Sequence, residues 1–356
     1  MNRRDVLANA AAAVASIGLA RTASGETAPL AIVPPETASH AGTFMQWPVD
    51  RRVHPDRAFL EVLQKTIARI ANTIVAFEPV IMLAASAHHT DVRAQLSDKV
   101  ELWNIPTEDL WCRDSGPLFA KLSNGSRVIS HLQFNGWGHK QVHKRDGQIA
   151  RLVAERLGIP LVPSGLVGEA GGVEHDGHGL LMAHESCWVN ENRNPGLDRA
   201  EIEQRLLTAY GARRMIWSPG LRGEDITDYH IDSLARFTGP GRVLMNLPRK
   251  PDARDPFHRA ALETRDRVIA AGMELTTIFE PDRPRVRHPD FVASYVNYYV
   301  CNRAVIVAQF GETESDARAQ SALRAHYPGR QVIALNVDAL GEVGGGIHCA
   351  TQPMPA

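Results

Sequence analysis

The sequence predicts an α/β protein built as a closed array of five similar modules. Two observations carry this. Five amphipathic helical stretches, at about Asp56–Ala76, Arg145–Leu157, Asp198–Tyr210, Asp255–Ala271 and Glu314–His326, are separated by short β-branched or apolar runs. From the second onward their centres recur at a little under sixty residues, the kind of period that marks a modular architecture. The second observation is a local echo. "GEAGGVEHD" (Gly168–Asp176) and "GEVGGGIHC" (Gly341–Cys349) share Gly, Glu, Gly, Gly and His at five of nine positions. If the two are equivalent loops of repeated modules, they point at one centre, and one ends in Asp176 where the other ends in Cys349. A doubly wound sheet is the competing arrangement, but no GxGxxG turn joins a strand to a helix.

From the N-terminus, the chain opens on "MNRRDVLANAAAAVASIGLARTA" (Met1–Ala23). Arg3 and Arg4 precede a weakly apolar, alanine-rich stretch and then small residues, the order of a secretory signal and too short to span a membrane. The arginine pair followed by Asp5-Val6-Leu7 favours the twin-arginine route. The expectation is a signal over residues 1–28, one unit over 29–356, and a periplasmic or secreted location. In the first helical stretch Phe59, Leu60, Leu63, Ile67, Ile70 and Ile74 recur at helical spacing. Between helices, "PVIMLA" from Pro79, "RVISHLQF" from Arg127, "RVLMNL" from Arg242, "RAVIVAQF" from Arg303 and "QVIALN" from Gln331 read as strands.

Composition narrows the function classes. With 39 basic and 40 acidic residues, the chain offers no electrostatic case for nucleic-acid binding, and no apolar run reaches membrane-span length. The four cysteines, Cys112, Cys187, Cys301 and Cys349, show no CxxC spacing. A chain of this length builds a core without staples, so free thiols are expected even in an exported protein.

Three segments look too specific for scaffolding. In "WCRDSGPLF" (Trp111–Phe119), Gly116-Pro117 stops any helix and leaves Asp114 on a turn. In "GEDITDYHIDSLARF" (Gly223–Phe237), His230 and Asp232 are two apart, so in extended backbone both leave one face. That would set a carboxylate beside an imidazole, orient it and raise its pKa. In "GEVGGGIHC", glycines let backbone carrying Cys349 approach a ligand closely. The segments supply a thiol, an imidazole and two carboxylates. A cysteine-hydrolase triad needs one acid, so a second points to a cationic substrate. Guanidinium fits: planar, permanently charged, and matched to carboxylates through paired N–H donors. Its resonance-stabilised carbon demands a strong nucleophile, and a bound cation favours the thiolate.

On these residues the chain resembles the agmatine deiminase and Porphyromonas-type peptidylarginine deiminase family of guanidine-modifying enzymes. The resemblance runs through "MQWP" (Met45–Pro48), "WCRDSGPLF", "GGVEHDGHG", "ESCWVNENRNP" (Glu185–Pro195), "HID", "SYVNYY" (Ser294–Tyr299) and "GGGIHCATQ". It implies a five-bladed pseudo-symmetric α/β propeller, the pentein fold, with no metal or organic cofactor. Cys349 would attack the guanidinium carbon, His230 would serve as acid and then base, and Asp114 and Asp232 would clamp the nitrogens. Trp111 would wall the site and Asn297 would support the loop. The substrate implied is a small cationic guanidine, most simply agmatine, with arginine or peptidylarginine as the alternative. Agmatine's distal ammonium needs carboxylates or carbonyls, for which Glu169, Glu174, Asp176 and Glu224 are the candidates. A substrate carboxylate would instead need a cation, for which Arg222 is the candidate. The oligomeric state, a homodimer included, is left open.

The chain departs from the family pattern in places. Ala170 stands where the family has Glu, Tyr229 where it has Gly before the catalytic His, and His178 and Leu180 also differ. Tyr229 would narrow or reshape the site. Two other classes remain open on the sequence. His175, Asp176, His178 and His184 would make a metallohydrolase if they converged on one ion. A non-catalytic guanidine-binding protein would keep the carboxylates but have no use for the thiol.

Overall fold

The computed structural model describes residues 31–288 and 290–356, and the expected signal lies outside the described residues. Five small sheets share one plan. β1 (His40–Gln46) runs parallel to β2 (Val80–Ala84), which runs parallel to β3 (Glu101–Asn104). β4 (Leu118–Lys121) is antiparallel to β5 (Arg127–His131), which is parallel to β6 (Leu161–Pro163). The same antiparallel-then-parallel order joins β7 (Val173–His175), β8 (Leu180–His184) and β9 (Arg214–Ser218). It recurs in β10 (Ala235–Gly239), β11 (Arg242–Leu247) and β12 (Glu274–Phe279), and in β13 (Tyr299–Cys301), β14 (Ala304–Ala308) and β15 (Gln331–Leu335). The first sheet obtains its antiparallel strand from the other end of the chain. β16 (Gln352–Pro355) pairs with β1, Phe44 opposite Gln352 and Gly42 opposite Met354. The last strand therefore closes the ring.

In each sheet one parallel pair is bridged by a helix where the apolar spacing places one. The helices are Arg57–Ile74, Ile149–Leu157, Arg199–Tyr210, Pro256–Ala270 and Thr313–His326. Their starts follow from side-chain caps. Asp56 accepts from Ala58 and Phe59 N–H, Asp198 and Glu201 form a reciprocal capping box, and Asp255 caps a helix opening on Pro256. The first helix buries Leu60, Leu63, Ile67, Ile70 and Ile74, each contributing about 1.5–3 kcal/mol relative to exposure. Phe59 is only partly buried against the same cluster. The four cysteines are buried and unbridged. Among the described residues no helix is long and apolar enough to cross a membrane.

Ring closure rests on β16 side chains as well as its backbone. Met354 packs with Phe44 and Phe119 in one cluster, and Gln352 Nε2 donates to the Pro117 carbonyl at 2.8 Å. Met354→Ala should lower the unfolding free energy by about 2–5 kcal/mol, the range for a truncated core side chain. Urea unfolding followed by circular dichroism reads this, and an unchanged midpoint would mean that β16 adds little to closure.

Candidate active site

Each sheet delivers side chains to one centre from the loop just before its antiparallel strand. Asp114 precedes β4, Gly171 precedes β7, His230 and Asp232 precede β10, Asn297 precedes β13 and Cys349 precedes β16. Asp114 sits in a single helical turn, Cys112–Ser115. Its Oδ1 accepts from Gly171 N–H at 3.1 Å, and its Oδ2 accepts from the Trp137 indole N–H at 2.9 Å. Gly171 is required by space. An added Cβ would lie 2.6 Å from Asp114 Oδ1 and 2.9 Å from His230 Nδ1.

The C-terminal glycines have separate tasks. Gly344 adopts φ +91°, a left-handed conformation that favours glycine. Gly345 lies against the Trp111 ring and Gly346 against the Asn297 amide, each with a would-be Cβ contact of 2.5 Å. Cys349 is thereby lowered onto Asn297, whose Nδ2 donates to Sγ at 3.0 Å and whose Oδ1 accepts from Cys349 N–H at 3.3 Å. The thiol donates to Asp232 Oδ2 at 3.4 Å. Burial, with Asp232 and then Asp114 nearby, pushes the Cys349 thiol well above its ordinary value.

His230 does not pair with Asp232 as the two-residue spacing predicts. Ile231–Ser233 is a single 3-10 turn, so the side chains diverge where an extended strand would align them. His230 Nε2 instead meets Glu169 Oε2 at 3.2 Å, and Nδ1 stands 3.7 Å from Asp114 Oδ2. Burial alone would lower its pKa, but Asp114, the Glu169 hydrogen bond and charge, and Asp232 together raise it to about 9. Asp114 is raised to about 6, by burial first and then by Glu169 and Asp232, against His230 and the Trp137 N–H. Asp232 takes the opposite course. Burial would raise it, yet the hydrogen bond and charge of His348, with His230 and Arg236, hold it below its usual value.

These groups open on a cavity of about 510 Å³. Trp111, Trp137 and Cys349 line it with Asp114, His230 and Asp232, and Tyr229 and Phe257 add aromatic surface to its wall. Eight carboxylates face it, Asp114, Asp232, Glu224, Asp225, Asp255, Glu280, Asp290 and Glu342, and among the described residues no Lys or Arg lines it. Tyr229 has φ +70° and Asp228 φ +60°, conformations that cost energy outside glycine and concentrate at working sites. Asp228 is held there by Arg193, by Lys140 at 2.8 Å and by Gly223 N–H. The Tyr229 ring stacks on His184 at 4.7 Å.

Beyond the His230–Asp232 pairing, five sequence expectations need correction or refinement. Glu169 is buried and bonded to Arg193 and His230, so it orients the imidazole and does not line the cavity. Asn297 touches the thiol and supports its loop, with no face on the cavity. Asp176 is not in the site. Its Oδ1 accepts from His178 and Leu180 N–H, closing the turn between β7 and β8. Arg222 donates to the Val189 carbonyl and is likewise absent from the lining. The proposed histidine metal set does not converge: His184 bonds the Tyr229 carbonyl and Thr264. Among the described residues no three His, Cys, Asp or Glu meet with metal-binding geometry. Sequence reasoning missed Trp137 and His348. A tryptophan between two glycines, Gly136-Trp137-Gly138, and the histidine shared by both echo loops were the available signals.

The family model of the Porphyromonas-type peptidyl-arginine deiminases matches residues 32–355. The chain belongs to that family. Among relatives of this deiminase family member, a Streptomyces coelicolor protein provisionally named agmatine deiminase is 33% identical, over 91% of this chain and 98% of its own. An agmatine deiminase of Medicago truncatula is 30% identical, over 91% and 96%. The fold matches the Enterococcus faecalis agmatine deiminase with a TM-score of 0.82 at 24% identity, covering 92% of this chain and 96% of that one. It also matches a Cys→Ser agmatine deiminase of C. jejuni with substrate bound, TM-score 0.83 at 22% identity, covering 93% and 98%.

The deiminase fold makes His230 a measurable reporter. Its pKa is raised, so the stability gained from its carboxylate neighbours is complete below about 6.5 and lost as pH rises through about 9. Glu169→Gln removes one of those carboxylates and should move the His230 titration down by about 1–3 units. NMR of the imidazole carbons reads the shift, and an unmoved titration would deny Glu169 its orienting role.

Proposed function

We propose that this protein hydrolyses the guanidinium group of agmatine, giving N-carbamoylputrescine and ammonia. One observation supports this most directly. A thiol, an imidazole and two carboxylates meet in a cavity whose described lining holds eight carboxylates in all and no Lys or Arg. A dication with a planar head matches that field. Relatives named for the same reaction support the reading.

Asp114 and Asp232 receive the guanidinium N–H groups, one from each side of Cys349. The arriving cation offsets the two negative charges that hold the thiol up, so when the substrate is bound the Sγ proton passes to solvent and leaves a thiolate. Sγ attacks the guanidinium carbon and forms a tetrahedral adduct. His230, protonated at neutral pH, gives its proton to the departing nitrogen, and ammonia leaves an amidino-cysteine cation. The now neutral imidazole takes a proton from water, which adds to the same carbon. Collapse of that second adduct breaks the C–S bond, returning the thiol and a ureido product. Overall one water enters and one ammonia leaves.

Arginine and peptidylarginine carry a carboxylate or carbonyl where agmatine has bare methylene or an ammonium. Free arginine would bring an anion into a field of like charge, a repulsion worth several kcal/mol. A ureido colour assay should therefore show kcat/KM for agmatine above that for arginine by about 10²-fold or more. Faster turnover of arginine or an arginyl peptide would reverse the substrate assignment. Cys349→Ala should release no ammonia, and His230→Gln should lose about 10²–10⁴-fold in kcat; turnover by Cys349→Ala at the wild-type rate would remove the thiol mechanism.

The pH dependence follows from the two shifted groups. Asp114 must be ionised to receive the cation, so kcat/KM should rise through about pH 6. His230 must hold its proton to expel ammonia, so the profile should fall above about pH 9. In Asp114→Asn the acid limb near pH 6 should vanish together with most of the activity. An acid limb that persists in that variant would assign it to another group.

A further inference from the structure

Beneath Cys349, on the side away from the cavity, His348 connects the site to a buried cluster of charges. His348 Nδ1 lies 2.7 Å from Asp232 Oδ2, the same oxygen that accepts from the Cys349 thiol. His348 Nε2 lies 3.1 Å from Glu36 Oε2 and 3.9 Å from Glu174 Oε1. A carboxylate oxygen thus faces each ring nitrogen. Glu36 is itself fixed by Arg113 at 2.7 Å, by Arg236 at 3.1 Å and by the Val300 N–H at 2.9 Å. Arg236 pairs with Glu174 at 2.6 Å, and Arg113 Nε donates to the His348 carbonyl at 3.3 Å. The ring is thus held at both ends and along its backbone, and His348 is only 2% exposed.

Glu36 does not come from any of the five sheets. It is carried in by the N-terminal segment, which is tied down by the Ile32–Lys121 bridge and by Val33 N–H to the Tyr210 carbonyl. A segment outside the repeats therefore completes the floor of the site.

We propose that His348 is a positioning residue for the reaction. It fixes Asp232 through Nδ1, leaving Oδ1 free for the guanidinium, and is itself steadied through Nε2 by Glu36. Asp232 Oδ2 is occupied by the imidazole and the thiol. Besides a 3.5 Å contact from Ser233 Oγ, Oδ1 is the oxygen left to meet a substrate N–H. A carboxylate free to rotate would present either oxygen, and misplacement by about 1 Å is worth about 10²-fold in rate. This inference rests on the deiminase reading above, because it concerns how the guanidinium clamp is held.

Two substitutions separate the ends of the ring. The amide nitrogen of Asn overlays Nδ1 and that of Gln overlays Nε2, so His348→Asn keeps the donor to Asp232 while His348→Gln keeps only the donor to Glu36. The probe is agmatine binding to Cys349→Ser protein by calorimetry, which needs no turnover. His348→Gln in that background should weaken agmatine about tenfold or more, the range for losing a charge-assisted hydrogen bond, with His348→Asn within about threefold of the parent. In the cysteine protein, His348→Gln should lower kcat/KM about 10²-fold while thermal unfolding stays near wild type. Agmatine affinity in His348→Gln equal to the parent would overturn the proposal. So would equal weakening by Asn and Gln, which would mark a purely structural ring. If Cys349→Ser binds no guanidine and the wild type turns none over, the deiminase reading falls and takes this inference with it. Loss of the Gln effect alone removes only the role of His348.

Discussion

Two buried carboxylates flank one thiol, and they are not compensated alike. Asp232 is tied through His348 to a cluster that includes Arg113 and Arg236, and it is held ionised. Asp114 has mainly neutral donors, the Gly171 and Trp137 N–H groups, with His230 at 3.7 Å, and is pushed up to about 6. The protein's own groups therefore leave the side that faces the cavity short of positive charge. In the proposed mechanism a guanidinium supplies that charge and is bound, oriented and made reactive by the same event. Until it arrives the thiol keeps its proton, which also keeps it a poor target for oxidants, since thiolate character governs oxidation. Substrate selection and nucleophile activation are one electrostatic step here.

The fold makes such crowding affordable by distributing the groups over five independent loops. No loop carries more than a few site residues, and each is braced by its own sheet immediately afterwards. The proposed nucleophile comes from the loop whose strand closes the ring, so Cys349 is anchored on both sides: Gly344–Gly346 fit it among Trp111 and Asn297 before, and β16 pairs with β1 after. Cys349 sits at the centre because its loop leads straight into the strand that closes the ring.

The modular plan was readable because helix spacing and capping residues are local. Asp56, Asp198 and Asp255 mark helix starts in the sequence and cap them in the structure. The echo loops were also rightly matched, since both lead into the antiparallel strand of a sheet. What spacing could not show is where the strand begins. After Gly171-Gly172 the chain enters β7 at Val173, so Asp176 falls beyond the strand and closes a turn. After Gly344–Gly346 it stays in loop until Gln352, which leaves Cys349 at the centre. The same blindness misassigned the imidazole partners. His230 and Asp232 lie close in sequence, but a 3-10 turn sends one to Glu169 and the other to His348. Both true partners are far away in the chain, and a spacing rule reaches only neighbours.

Tyr229 shows how such a chain accommodates a residue its backbone does not favour. At φ +70° a tyrosine is strained where glycine would be at ease. The conformation persists because its surroundings leave no alternative: Asp228 is clamped by Arg193 and Lys140, and the Tyr229 carbonyl accepts from His184 at 2.7 Å. The ring then stacks on His184 and meets Phe257 edge-on at 5.4 Å, turning a flexible corner into an aromatic wall. That wall stands beside Asp255 and Glu280, with Glu280 raised to about 7 by burial and by Asp255. An ammonium beside it would favour the charged form of Glu280, as the guanidinium favours the thiolate in the proposed mechanism. One cavity thus carries two groups, Cys349 and Glu280, that burial holds protonated and that a cation would relieve. A substrate that is cationic at both ends answers both.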